Sequence, residues 1–220
     1  MNNIFKIFIF LVLIFLFFQY RFINKNNNII DIYQADNPNK DEFEKILNKK
    51  SPSIFTNVSE NFFSLQEKSP SSLYKMKLKE KKKLINNLKK HFSYYNSPMC
   101  IKSDFNLKIE EENSSIKLKK VNSSRLLISQ LIGKRKLILF SPNQKENLYV
   151  MNNKDSIVDF FKHDLTLYPL LAKTKYVEVI LYPGHMIYIP NNWYYGYINE
   201  DESLSTISQS ENIFSKFFRK

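Results

Sequence analysis

The chain of 220 residues has three glycines, one cysteine, one tryptophan and three histidines. Three glycines leave no room for a GxGxxG or Walker phosphate loop, and exclude collagen-like and glycine-rich repeat architectures. One cysteine, Cys100, excludes an internal disulfide framework and a multi-cysteine zinc site. With no base nearer in sequence than His91, Cys100 is expected to be a buried, unreactive thiol. His91, His163 and His185 show no H-x-H or H-x-x-x-H spacing, so each is expected to be an ordinary surface or hydrogen-bonded histidine. A G-x-S-x-G nucleophile turn is absent. Acidic residues are in the minority: 21 Asp+Glu stand against 33 Lys+Arg, a net charge of +12. Hydrophobic residues at 43% and aromatics at 15% exclude a disordered polyampholyte.

What is present begins with a long apolar run. Residues Ile7 to Phe18 are all apolar, and extending to Ile4 and Tyr20 gives about seventeen positions interrupted by Lys6. That is the short end of a bilayer span. Lys6 can snorkel to one interface, while Tyr20 and Arg21 suit the other. A cleaved signal peptide needs small residues after the run. Gln19, Tyr20, Arg21 and Phe22 stand there instead, so residues 1–22 read as a single-pass anchor contacting the membrane through residues 4–20. The side that holds the body stays open. Charges near the segment lean toward the cytosol, whereas Asn57, Asn113 and Asn122 head glycosylation sequons that matter only in a lumen.

Residues 23–50 read as a polar linker with a short helix, Asp41 to Lys50, presenting Phe43, Ile46 and Leu47 on one side. The remaining body, 51–210, is long enough for one domain, and 211–220 reads as a basic tail. Ser53 to Val58 is a candidate strand. Lys75 to Lys90 holds eight lysines and one glutamate. Within it Leu84, Ile85, Leu88 and then Phe92 recur at helical spacing, which predicts a basic amphipathic helix. Its lysines are either a solvated face or, with the basic segment 117–136, a surface for anionic lipid or an acidic protein. No specific nucleic-acid motif is present. From Leu126 onward short apolar segments separated by tight turns predict strands: Leu126 to Ile132, Leu137 to Phe140, Tyr176 to Leu181, Met186 to Ile189, Trp193 to Ile198 and Leu204 to Ser208. Between them, Asp155 to Phe161 reads as a helix capped by Asp155. The fold class expected is mainly β with flanking helices, an α+β arrangement. Along one strand Trp193, Tyr195 and Tyr197 share a face and Tyr194 takes the other.

Two blocks carry a resemblance. Gln130-Leu-Ile-Gly-Lys-Arg-Lys-Leu-Ile-Leu-Phe-Ser-Pro142 resembles the Q-x-x-G-x-K-x-x-x-L-F-x-P strand pair of JmjC/cupin-like dioxygenases dependent on Fe(II) and 2-oxoglutarate. Tyr182-Pro-Gly-His-Met-Ile-Tyr-Ile-Pro-Asn-Asn-Trp-Tyr-Tyr195 resembles their P-G-D-x-L-Y-I-P-x-x-W-W-H. The blocks match without gaps and in the family's order. The resemblance implies a double-stranded β-helix (jelly-roll or cupin) over roughly 51–210. It also implies where a metal site belongs. The family holds Fe(II) by His-x-Asp and a distal His. Those positions fall here on Lys120, Asn122 and Tyr195. A cationic amine, a neutral amide and a phenol are poor ligands for ferrous iron, and Ile101 to Ser129 contains no histidine at another register. The acids nearby are Asp104 and Glu110 to Glu112. The family's 2-oxoglutarate lysine falls on Arg135, which could still pair with a carboxylate. Flanked by Lys134 and Lys136, it is expected in a solvated basic patch at a strand end.

The apolar anchor and the departures from the family's ligand pattern together lead to the first expectation, a membrane-anchored domain without Fe(II) or 2-oxoglutarate that acts by binding or scaffolding. Two alternatives stand beside it. One is a 2-oxoglutarate-dependent protein hydroxylase with a non-standard metal site, which would use both cofactors. The other is a metal-free small-molecule binding module. In the first reading Tyr195 fills space that a metal leaves vacant.

Overall fold

The structure, a computed structural model, describes residues 3–25, 28, 30–58, 70, 77–151, 155–162 and 166–218. His163 and most of 59–76, including Lys75, lie outside them. The elements in chain order are α1 (Asn3–Asn24), β1 (Tyr33–Asp36), α2 (Lys40–Leu47), β2 (Ser53–Thr56), α3 (Leu78–Ser93), β3 (Cys100–Glu110), β4 (Ser115–Lys120), β5 (Arg125–Ile132), β6 (Arg135–Phe140), β7 (Val177–Leu181), β8 (Met186–Ile189), β9 (Tyr194–Asn199), β10 (Ser203–Asn212) and α4 (Ile213–Phe218). The fold is mainly β with flanking helices.

Two sheets form. One has six strands in the order β1-β2-β8-β5-β10-β3, the other four in the order β4-β9-β6-β7. Pairing is antiparallel except between β1 and β2. Successive strands along the chain often lie in different sheets. The chain leaves β5 in the large sheet, turns at Gly133 and enters β6 in the small one. Gly133 sits at φ +73°, and a Cβ there would stand 2.3 Å from the Glu202 carbonyl oxygen, so the turn demands glycine.

Side-chain alternation sorts the apolar residues into three layers. Between the sheets, Leu126 and Ile128 of β5, Ile187 and Ile189 of β8, Leu137 and Leu139 of β6, and Tyr195 and Tyr197 of β9 form one buried cluster with Trp193. On the outer face of the large sheet, Leu127 and Leu131 meet Phe43 and Leu47 of α2 and Leu88 and Phe92 of α3. Outside the small sheet, Ile138, Phe140, Leu118 and Tyr194 pack with Leu148, Val158 and Leu171. Each fully buried Leu, Ile or Phe contributes roughly 1.5–3 kcal/mol, so β5, covered on both faces, is the strongest single element of the body. The alternation of Trp193, Tyr195 and Tyr197 against Tyr194 is as expected.

α2 is capped by Asn39, whose Oδ1 accepts from the Glu42 amide at 3.0 Å. α3 turns its apolar stripe onto the sheet and its lysines outward. In α1, residues Phe5–Phe22 have a mean hydropathy of 2.0, and none of that window is fully buried. By length and composition this helix suffices to cross a membrane.

Several expectations are corrected. Asp155 to Phe161 is not a helix. Ser156 and Val158 bond instead to the backbone of Leu118 (Ser156 N to Leu118 O, 2.9 Å; Leu118 N to Val158 O, 3.3 Å), extending the sheet edge. Asp155 caps the Lys120 amide at 3.0 Å and no helix. Besides β2, which falls within the candidate strand Ser53 to Val58, three more strands precede Leu126: β1 lies in the stretch read as linker, and β3 and β4 in a stretch for which no element was expected. Part of the tail read as basic is α4, whose Phe214 and Phe218 rings meet Phe15 and Tyr20 of α1 at 5.7 and 6.1 Å. Cys100 is exposed at the start of β3, not buried.

Candidate functional site

The site grows from strand parity. On β6, residues 135, 137 and 139 face the space between the sheets. On β9, residues 195, 197 and 199 face it. On β3, Phe105, Leu107 and Ile109 pack outward beneath α3, which turns Glu110 inward. Thus Arg135, Tyr197, Asn199 and Glu110 converge, joined by Ser203 at the start of β10.

Arg135 is wholly buried. Its Nε donates to Asn199 Oδ1 at 2.8 Å, and its Nη2 donates to Glu110 Oε2 at 2.6 Å and to Ser203 Oγ at 3.0 Å. The guanidinium lies 4.0 Å from the Tyr197 ring centroid. The Tyr197 hydroxyl donates to both Glu110 oxygens, at 2.9 and 3.1 Å. Glu110 therefore accepts from two partners and compensates the buried cation. Burial pushes Arg135 below its usual range, while Tyr197 and Glu110 pull it back. Arg135 Nη1 has no partner among the described residues.

This corrects the expectation of a solvated basic triplet. Of the three residues, Lys134 alone is exposed. Lys136 pairs with Glu178 at 2.8 Å. The other arginine of segment 117–136, Arg125, is buried too, paired with Glu44 at 2.8 Å. The surface charge of that segment comes from lysines such as Lys117, Lys119 and Lys134.

The positions matched to the family's iron ligands do not assemble a ferrous site. Tyr195 is 4% exposed within the inter-sheet cluster. Burial, then Asp155, push its phenol up to about 12, so without a cation beside it the phenol stays protonated at neutral pH. Lys120 is the last residue of β4, paired in register with Tyr194. Asn122 is exposed, and the residue between them, Val121, turns into the core at 2% exposure. Among the described residues, no three His, Cys, Asp or Glu side chains converge as a metal-holding group. His91 Nε2 lies 3.0 Å from the Val58 carbonyl oxygen. His185 packs edge-on to Tyr182, and its Nδ1 is buried without a partner among the described residues. The donor set present does not fit Fe(II).

Sequence reasoning located Arg135, Tyr195 and Tyr197 but missed Asn199 and Ser203, and took Glu110 only as a nearby acid. Glu110 carried a usable signal: Phe105-x-Leu107-x-Ile109 alternates with period two, which places residue 110 on the opposite face. Asn199 and Ser203 carried none, being small polar residues at strand ends.

Two sheets enclosing an inward-facing basic residue, reached from a Gln-x-x-Gly turn, define a cupin-type domain. A family model for the cupin-like domain matches residues 85–208, more than half of the chain, and the chain belongs to that family, within the JmjC/cupin superfamily. Among curated proteins it resembles tRNA wybutosine-synthesizing protein 5 of Homo sapiens, 33% identical over 90 residues (41% of this chain, 27% of the relative). The Danio rerio protein of that name is 36% identical over 69 residues (31% and 21%). Jumonji C domain-containing protein 5 of Drosophila melanogaster is 31% identical over 83 residues (36% and 21%). The matched stretch thus spans 27% or less of the length of these relatives.

Proposed function

We propose that this chain is a membrane-anchored JmjC/cupin-like domain that has lost Fe(II)/2-oxoglutarate catalysis and works as a binding or scaffolding module. In this reading the two sheets are the halves of a double-stranded β-helix, and α1 is the single-pass anchor. One observation carries it. Arg135, at the position matched to the family's cosubstrate lysine, is already held by an internal carboxylate, Glu110, in a closed group with Tyr197, Asn199 and Ser203. A second carboxylate could form a two-point pair with Arg135 only by displacing Glu110 from Nη2 and leaving that part-buried acid without its cation, at a cost of about 3 kcal/mol. The donor chemistry of Lys120, Asn122 and Tyr195 supports the same reading. The tRNA role in the relatives' names is not assigned to this chain, whose matched stretch spans 27% or less of their length.

The test uses the full chain purified in detergent. After anaerobic incubation with Fe(II) and 2-oxoglutarate, metal analysis is expected to find iron well below one per chain, with no succinate on exposure to oxygen. One iron per chain together with succinate release would establish the hydroxylase alternative. Alkaline carbonate extraction tests the anchor separately: the chain is expected in the membrane pellet, and release into the supernatant would sink that part.

A further inference from the structure

A cavity of about 330 Å³, not lined by Arg135, lies where α1, the end of α2, the β8–β9 turn and α4 meet. Its walls are of two kinds. Phe15, Phe22, Met99 and Phe214 are apolar, while Lys25 and Lys50 bring two cations and Arg125 is matched by Glu44. Trp193 and Asn191 also line it, and Trp193 is 1% exposed. Among the described residues, the Trp193 Nε1 donor and the Asn191 Oδ1 acceptor are buried without partners. Buried polar atoms are rarely left unbonded, so an orphaned donor and acceptor on two residues of the cavity lining suit a ligand offering both an oxygen and an O–H or N–H, reached once those side chains turn toward the cavity.

The cation arrangement narrows the ligand. Lys50 donates to the Phe22 carbonyl and stands 4.2 Å from that ring's centroid. Burial first, and repulsion from Lys25 second, lower Lys50 to about 8. An anion between the two lysines would relieve that repulsion. The cavity sits at the end of the apolar window, which closes at Phe22. A bilayer entered by α1 therefore puts its headgroup layer at this depth, and the exposed phenylalanines of α1 beside acyl chains.

We infer that this cavity binds the headgroup of an anionic phospholipid from the bilayer that α1 enters, with the phosphate between Lys25 and Lys50 and a headgroup hydroxyl and oxygen on Asn191 and Trp193. The inference rests on the membrane reading of α1. The ligand differs from the lipid surface suggested by the exposed lysines of segments 75–90 and 117–136: it is one molecule in one cavity.

Trp193 is the chain's single tryptophan, so its fluorescence reports on this site alone. In detergent micelles, phosphatidylglycerol with brominated acyl chains should quench full-length protein saturably. Brominated phosphatidylcholine, which keeps the phosphate but has a quaternary ammonium beside the two lysines in place of the headgroup hydroxyls, should need a concentration about tenfold higher, as expected for loss of one headgroup hydrogen bond and added cation repulsion. The double substitution Lys25→Gln, Lys50→Gln should weaken the phosphatidylglycerol response about tenfold, and Lys50→Arg should retain it. Equal quenching by the two lipids, or none, overturns the inference without needing any variant. Displacement of the brominated lipid by millimolar inorganic phosphate overturns the lipid assignment in favour of a small-anion site. Carbonate extraction separates the failures: an integral protein without lipid preference sinks only the cavity, and an extractable protein with lipid preference sinks only the anchor.

Discussion

Arg125 and Arg135 are both buried and both paired with a glutamate, yet their surroundings differ. Arg125 starts β5; Arg135 stands just past the turn that ends it. Arg125 makes a bidentate pair with Glu44 at 2.8 and 3.1 Å and donates to the carbonyls of Tyr95 and Asn96 at 2.7 and 2.9 Å. It ties α2 and the end of α3 to the large sheet, in contact with the Phe43 ring. Arg135 meets its carboxylate through one nitrogen, shares it with Tyr197 and retains an orphaned Nη1. The first is a clasp between elements, satisfied by backbone. The second is a partly satisfied pair: one strong bond, an incomplete shell and a position between the sheets.

The difference can be broken at either end. Arg125→Ala should cost most, about 4 kcal/mol, because it strands Glu44 and two backbone carbonyls at once; denaturant unfolding in detergent should show it. Glu110→Ala should cost about 3 kcal/mol by leaving Arg135 uncompensated. Replacing both partners, Glu110→Leu with Arg135→Met, should recover most of that loss. A double variant no more stable than Glu110→Ala alone would contradict the closed-pair account.

The turn between the two arginines offers a sharper contrast. Gly133→Ala should cost about 2 kcal/mol or more, since a positive φ and a 2.3 Å approach to Glu202 act together. Gly184→Ala, at φ +90° with open space around its Cβ, should cost about 1 kcal/mol, from strain alone. Thermal unfolding of the two variants checks the order.

The smallest effect concerns pH. Lys50 falls from 10.5 to about 8 on folding, so the unfolded chain binds more protons between those values and stability climbs across that window. Tyr188 and Tyr195 rise from 10.0 to about 12, chiefly by burial, so above 10.0 the folded chain holds the extra protons and stability falls. Lys50→Met should abolish the climb and leave the fall, as read by denaturant midpoints across alkaline pH.

β5 to β9 were legible because each is a largely apolar run bounded by glycine, proline or a polar turn, whereas β10, with Leu204 and Ile207 among serines and a threonine, was legible only over Leu204 to Ser208. β3 was not, because Lys102, Asp104, Asn106 and Lys108, on the face shared with Glu110, interrupt the alternate Phe105, Leu107 and Ile109 that pack beneath α3. The segment Asp155 to Phe161 misled for a related reason. Its apolar spacing suits a helix, but the open edge at Leu118 offered backbone partners that a free helix would not have had. The candidate site was half legible. The register of two motif blocks located Arg135 and Tyr195, whereas the closing partners come from positions 25, 64 and 68 residues away, and only folding brings them together.

The most direct measurement is calorimetric titration of 2-oxoglutarate into the purified full-length chain, in the presence of a redox-inert divalent metal. With Glu110 closing Arg135, no saturable heat is expected up to millimolar cosubstrate. A one-to-one isotherm with a dissociation constant in the micromolar range would show that Arg135 is open to a second carboxylate, and would contradict the account.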